Sequence, residues 1–184
     1  MNLRALIRTI PDHPKPGIKF RDVTTLMRDP AGLAFAIDGI TDRHRVGGVG
    51  APGGASGVDV VVGIEARGFV FGTAAAYRLG VGFVPLRKPG KLPGAKIGRD
   101  FELEYGRDRI ELHEGAIDPG ARVLLVDDLI ATGGTAEAAV LLLRSVGAEV
   151  VECTFVVALT DLGGVKRLER MGCSVRWLCE FAGD

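Results

Sequence analysis

The chain has 184 residues and a mass of 19.4 kDa, with 23 basic and 23 acidic side chains and a formal net charge of zero. That length fits one domain with an ordinary core, and a balanced charge without any basic run argues against a nucleic-acid face. The N-terminus lacks a secretory h-region, no apolar run reaches the roughly 18 residues of a membrane span, and Cys153, Cys173 and Cys179 fit small buried thiols in a reducing cytosol better than a disulfide framework or a metal site.

Taken in order, the first eight residues read as a short amphipathic helix. Asp29-Pro30 reads as an N-cap followed by proline at the first helical position, opening a helix to about residue 42. The glycine-rich stretch 47–57 contains a match to G-x-G-x-x-G. It follows a polar helix end rather than a strand and carries Pro52, so an irregular insertion is expected, not a dinucleotide site. Residues 58–64 form a β-branched strand, 68–79 a helix closed by Gly80, and 81–86 the next strand. The segment 87–113 is rich in charge, proline and glycine, with period-two alternation at 100–105 and 109–113, as in a hairpin; it suits a mobile lid more than a packed element. Further strands are expected at 123–128 and 150–159, with a helix at 136–146 between them. The alternation of strand and helix favours a central, mostly parallel sheet flanked by helices.

The run VLLVDDLIATGGT, residues 123–135, carries most of the chemical information. A buried strand ends in two carboxylates, Asp127 and Asp128, and passes through a glycine-rich loop into a helix. Gly133 and Gly134 let main-chain N–H groups converge on an anion, Thr132 and Thr135 add hydroxyls, and the helix start adds unpartnered N–H groups and a positive dipole end. This is a phosphate cradle. Like charges about 4 Å apart repel by roughly 4 kcal/mol at an effective dielectric near 20, so the paired acids are best explained by a bound partner such as sugar hydroxyls or a hydrated divalent cation. At the junction 64–69, IEARGF, Arg67 sits in a loop beside Gly68, where a forked guanidinium suits a diphosphate. On pattern alone Glu102 and Glu104 both face solvent, and His13, His44 and His113 are too scattered to bind a metal.

The segment 123–135 resembles the sugar-donor signature of the type I phosphoribosyltransferases. PGIKFRDV at 16–23, RKPGKLP at 87–93 and LEYG at 103–106 are similar to the adenine-specific branch of that family, so the likeness runs from about residue 10 to 165 in matching order. It implies a single type I phosphoribosyltransferase domain over 1–184, with residues 1–30 contributing a small hood and 87–113 a flexible lid hairpin. The resemblance implies that Ala131, Thr132, Gly133, Gly134 and Thr135 hold the 5′-phosphate of phosphoribosyl pyrophosphate. Asp127 and Asp128 would then meet the ribose hydroxyls directly or through Mg²⁺ and its waters, with no direct protein metal site. Arg67, Arg87, Lys88 and Lys91 would neutralise pyrophosphate. Lys19, Phe20, Arg21 and Leu129 would surround adenine, and Glu104, not Glu102, would donate to N7. A homodimer in the cytoplasm, acting on small molecules without nucleic acid or membrane, is implied as well.

Ala131 stands where 6-oxopurine members carry an aspartate base, which disfavours hypoxanthine and guanine as acceptors. Orotate transfer stays open. So does a regulator of the same fold that binds the sugar donor and nucleic acid, although that needs an appended domain or a basic face.

Overall fold

The computed structural model describes residues 1–45, 57–102 and 106–182. The insertion 47–57, apart from its last residue, and Glu104 lie outside the described residues. The chain opens with a 3-10 turn, Leu3–Leu6, and a hairpin of β1 (Arg8–Ile10) and β2 (Phe20–Asp22), followed by α1 (Thr24–Arg28) and α2 (Pro30–Thr41). Helix α2 starts as expected: the Asp29 carboxylate accepts the Gly32 N–H at 2.6 Å, and Pro30 occupies the first position.

Five parallel strands make the central sheet in the order β4 (Gly82–Leu86), β3 (Val60–Ile64), β7 (Arg122–Ile130), β8 (Glu149–Leu159) and β9 (Val175–Phe181). Helices α3 (Gly68–Leu79), α4 (Gly134–Ser145) and α5 (Gly164–Arg170) are the crossovers. Strand β7 is central, and its side chains divide between two cores. Val123 and Leu125 join α4 and β8 residues on one face; Leu124 and Val126 join α2 and α3 residues on the other. All four are fully buried. Burial on both faces explains why this strand reads as a continuous apolar run rather than an alternation. After β3 the chain winds toward β4, and after β7 it winds toward β8. The loops that follow β3 and β7 therefore diverge and leave a crevice between them, the position where open α/β sheets bind ligands.

Segment 87–113 forms the expected hairpin: β5 (Lys96–Glu102) and β6 (Arg107–His113) pair in full register, and Ile97, Phe101, Ile110 and Leu112 pack on the sheet–α4 core. Backbone hydrogen bonds between Arg87 and Glu111 in both directions, 2.9 and 2.7 Å, fasten the hairpin to the end of β4. Abundant charge marked this stretch as solvated, but the alternating apolar residues bury its base. The last twenty residues supply most of α5 and the whole edge strand β9.

The hood is held by a polar knot and an aromatic clamp. Asp22 accepts from the Thr24 hydroxyl at 2.6 Å, the Thr24 N–H at 3.0 Å and the Arg8 guanidinium at 3.1 Å. From the end of β9, Phe181 inserts its ring between Arg4 and Arg21, whose guanidinium carbons lie 5.0 and 4.5 Å from its centroid. The Thr24 hydroxyl, then Arg8, hold the Asp22 carboxyl down at about 2, below its ordinary value of 3.8. A depressed carboxylate stabilises the fold above its unfolded pKa near 4, and that contribution is lost as pH falls toward 2. Replacing Asp22 by Asn is therefore expected to lower the melting temperature at pH 7, with the gap from wild type closing between about pH 4 and pH 2 in thermal melts.

Candidate active site

Strand β7 does not end at its two carboxylates; it runs on to Ile130, pairing Leu129 and Ile130 with Val157 and Ala158 of β8. Asp127 and Asp128 thus lie inside the strand, three and two residues before its end. The sequence suggested an earlier end because a charged pair commonly marks one. Here the charge is offset locally. The Arg67 guanidinium, at the N-terminus of α3, binds the Asp128 carboxylate at 2.5 Å, and the Asp128 N–H donates to Asp127 Oδ1 at 2.8 Å. Burial, and after it the negative charge of Asp128, pushes the Asp127 carboxyl well above the ordinary range.

From Ile130 the chain turns through Ala131, Thr132 and Gly133 into α4, which starts at Gly134, two residues earlier than the apolar periodicity indicated. Gly133 adopts φ 81°, in the left-handed region that disfavours a side chain, and a Cβ there would stand 2.9 Å from the Gly164 Cα. Gly164, at the start of α5, donates its N–H to the Ala131 carbonyl at 3.0 Å, and any side chain on it would collide with that carbonyl oxygen. The loop is therefore fixed from behind by backbone packed on backbone. The N–H groups of the first turn of α4 face away from the helix body without partners inside it. Together with the loops after β3 and β4, this turn encloses a cleft of about 280 Å³.

Of the predicted residues, the cleft is lined by Arg67, Lys88, Asp127, Asp128, Leu129, Ala131, Thr132, Gly133, Gly134 and Thr135. Arg87, Lys91, Lys19, Phe20 and Arg21 do not line it. Arg87 is instead gripped by Glu65, with Nε and Nη2 each 3.1 Å from a carboxylate oxygen, and Glu65 also accepts the Lys88 N–H at 2.9 Å. The Arg87 guanidinium holds the Glu65 carboxyl below its usual range. Lys88 pairs with Asp108 of the hairpin, and Lys91 is exposed, its carbonyl 3.5 Å from Arg87 Nη1. In the hood, Phe20 is half-buried, with the Arg67 guanidinium 5.3 Å from its ring centroid. The Arg21 side chain turns away from the cleft toward the Thr9 hydroxyl at 2.7 Å, the Ala182 carbonyl at 3.3 Å and the Phe181 ring. Lys19 is exposed.

Glu65 and Gly164 escaped the sequence reading. Glu65 stands beside Arg67 in the same junction and carried a legible signal, an acid next to cations. Gly164 acts by close approach from a remote segment, which no local pattern reveals. His44 is a satisfied structural residue, its Nε2 3.3 Å from the buried Glu152. Among the described residues no three His, Cys, Asp or Glu side chains cluster to hold a metal. The neighbouring Asp127 and Asp128 supply hard oxygen donors of the kind Mg²⁺ favours, sufficient for an ion that takes its remaining ligands from a bound phosphate and water.

Residues 54–173 match the phosphoribosyl transferase domain. The adenine phosphoribosyltransferase of Methylobacillus flagellatus is 55% identical over 181 residues, 98% of this chain and 98% of its own. Among solved structures, the adenine phosphoribosyltransferase of Thermoanaerobacter pseudethanolicus superposes with a TM-score of 0.87 at 42% identity, covering 97% of this chain and 98% of that one. The Saccharomyces cerevisiae enzyme, solved with an imino-altritol bisphosphate and adenine, superposes at 0.83 with 38% identity, covering 96% of each chain.

The raised Asp127 carboxyl has a stability consequence. A group whose pKa is higher in the folded than in the unfolded state contributes stability only below its unfolded pKa, near 4, and costs stability as pH rises through the folded value. Asp127→Asn keeps an oxygen for the Asp128 N–H and removes the repulsion. It is expected to melt at a higher temperature than wild type at pH 7 without ligands, with the advantage vanishing below about pH 4. Scanning calorimetry of both proteins across that range tests it, and equal melting temperatures throughout would contradict the assigned repulsion.

Proposed function

The chain belongs to the phosphoribosyltransferase family and stands with its adenine-specific members, and from that membership we propose that it transfers ribose 5-phosphate from phosphoribosyl pyrophosphate to N9 of adenine, releasing AMP and pyrophosphate. The observation that carries the proposal is the convergence on one cleft of the loop 131–135, the two strand carboxylates and Arg67. A phosphate monoester takes the backbone nest at the start of α4, its dianion meeting the N–H dipoles of the first helical turn. Asp127 and Asp128 then stand one strand-end away, within reach of the ribose hydroxyls. A carboxylate accepting from a hydroxyl loses less by burial than one left bare.

Cleavage of the bond between the anomeric carbon and pyrophosphate leaves positive charge on the ribose and negative charge on the leaving group. Arg67 and Lys88 line the cleft, and Arg87 and Lys91 stand just beyond it, so incoming diphosphate competes with Asp128, Glu65 and Asp108 for these cations. Those carboxylates hold the cations in fixed positions beforehand, which lowers the ordering cost of binding. When bound, Mg²⁺ neutralises pyrophosphate charge, through donor oxygens and water more than through protein ligands. Lys19, Phe20, Arg21 and Leu129 are assigned to the adenine side, with Phe20 as the stacking face. Glu104 is assigned as the group that donates to N7. Ala131 offers no acid–base group toward an oxopurine, which favours adenine. The working form proposed is a homodimer in the cytoplasm, a reducing setting that suits the three free thiols Cys153, Cys173 and Cys179.

Mixing the protein with Mg²⁺ and sugar donor, and supplying adenine, hypoxanthine, guanine and orotate in turn, should release pyrophosphate with adenine alone. Release with another base only would reassign the acceptor, and release with none would favour a non-catalytic donor-binding protein. Glu104→Gln is expected to reduce kcat by about 10²–10³-fold while donor affinity changes little. Full retention of rate in single-turnover measurements would remove the acid role.

A further inference from the structure

We infer that Arg167 is a donor-positioning residue: it cancels the charge of Glu137, which occupies the same positive helix end as the sugar 5′-phosphate. The inference rests on the phosphate-cradle reading of 131–135 and adds a residue from outside the cleft. Glu137 lies in the first turn of α4. Helical side chains tilt toward the N-terminus, so its carboxylate leans toward the loop. An acid there stabilises the isolated helix, because it meets the unpartnered N–H groups and the dipole. A phosphate dianion relies on that same helix end, so an uncompensated Glu137 would repel the ligand that the loop is shaped to receive.

Arg167 answers that charge. Its Nε donates to Glu137 Oε2 at 2.7 Å, and Nη2 contacts the same carboxylate oxygen. The remaining nitrogen faces the loop: a Cβ placed on Gly134 would lie 3.9 Å from Arg167 Nη1. Arg167 belongs to α5, whose first residue, Gly164, already grips Ala131 through its N–H. One short segment therefore sets both the backbone course of the cradle and the electrostatic field over it. Neither Arg167 nor Glu137 lines the cleft. Arg167 therefore acts through Glu137, on any ligand with a 5′-phosphate, and leaves pyrophosphate and adenine unaffected.

The test is calorimetric titration of the intact chain with ribose 5-phosphate, AMP and pyrophosphate. Arg167→Met is expected to weaken ribose 5-phosphate and AMP about tenfold and leave pyrophosphate unchanged. Arg167→Lys should retain most of the affinity. Adding Glu137→Gln to Arg167→Met should return affinity to within about twofold of wild type, a rescue that a merely structural role for Arg167 would not produce. In steady-state assays the loss should appear in KM for the sugar donor, with kcat at saturation and KM for adenine unmoved. Unchanged ribose 5-phosphate affinity in Arg167→Met, or a loss that Glu137→Gln does not repair, overturns the inference while the cradle stands. Failure of the wild-type chain itself to bind ribose 5-phosphate overturns the cradle and this inference with it.

Discussion

Two neighbouring carboxylates on a central strand buried on both faces are the constraint around which the cleft is organised. Removing such charges from water is costly unless each finds a partner. Asp128 finds Arg67; Asp127 accepts the Asp128 N–H, while burial and then the Asp128 charge raise its pKa. The chain keeps this arrangement at the crevice between diverging crossovers. Both acids line the cleft, and Asp128 is the partner that orients Arg67 there. The stability lost at this point is small beside the burial supplied by β7, whose four preceding residues are sealed in two cores.

The cations in and beside the cleft follow a common pattern. Arg67, Arg87 and Lys88 are each paired, with Asp128, Glu65 and Asp108 respectively. Arg87 is the most firmly held: its fork matches the two oxygens of Glu65, while its backbone bridges to Glu111 of the hairpin. Glu65 thus joins the loop after β3 to the loop after β4. A long flexible cation left free would lose rotamer entropy on meeting an anion; one already oriented loses less. The paired acids also prevent the cleft from being a bare positive patch that any polyanion could occupy.

How much of this could be read from residue order depends on the range of the interaction. Helix α3 runs over the expected residues, 68–79, because its start, its cap at Gly80 and its packing face are all local signals. The strand, loop and helix start of the run 123–135 were legible for the same reason: glycines, hydroxyls, acids and a helix start fall within thirteen consecutive positions. The partners of those residues were not legible. Nothing near Gly164 announces contact with the Ala131 carbonyl some thirty residues earlier, and nothing near Arg167 announces Glu137. Composition could not show that one face of the hairpin 96–113 packs on the core, because it averages over both faces, whereas packing depends on one. Arg21 shows the same limit, since the position was legible but not the turn of its side chain toward Phe181 and Ala182.

The hood and the sheet are separate in sequence, and Arg67 is where they meet within the cleft. Its guanidinium binds Asp128 on one side and lies 5.3 Å from the Phe20 centroid on the other. A planar, delocalised cation is able to do both: its edge forks toward a carboxylate while its face rests on a ring. An ammonium lacks the flat face and the fork, although Lys88, paired with Asp108 and 5.6 Å from the Phe101 centroid, shows that a point charge can also meet both kinds of partner. The part of the chain assigned to the base is thereby coupled to the part assigned to the sugar through one side chain, and anything that draws Arg67 from Asp128 also alters what Phe20 packs against. A diphosphate is such a ligand, because it presents several oxygens to the same donors. On this geometry a change in the hold of Arg67 on Asp128 is felt at the Phe20 ring, and by the reciprocity of linkage a change at the ring is felt as much at the carboxylate.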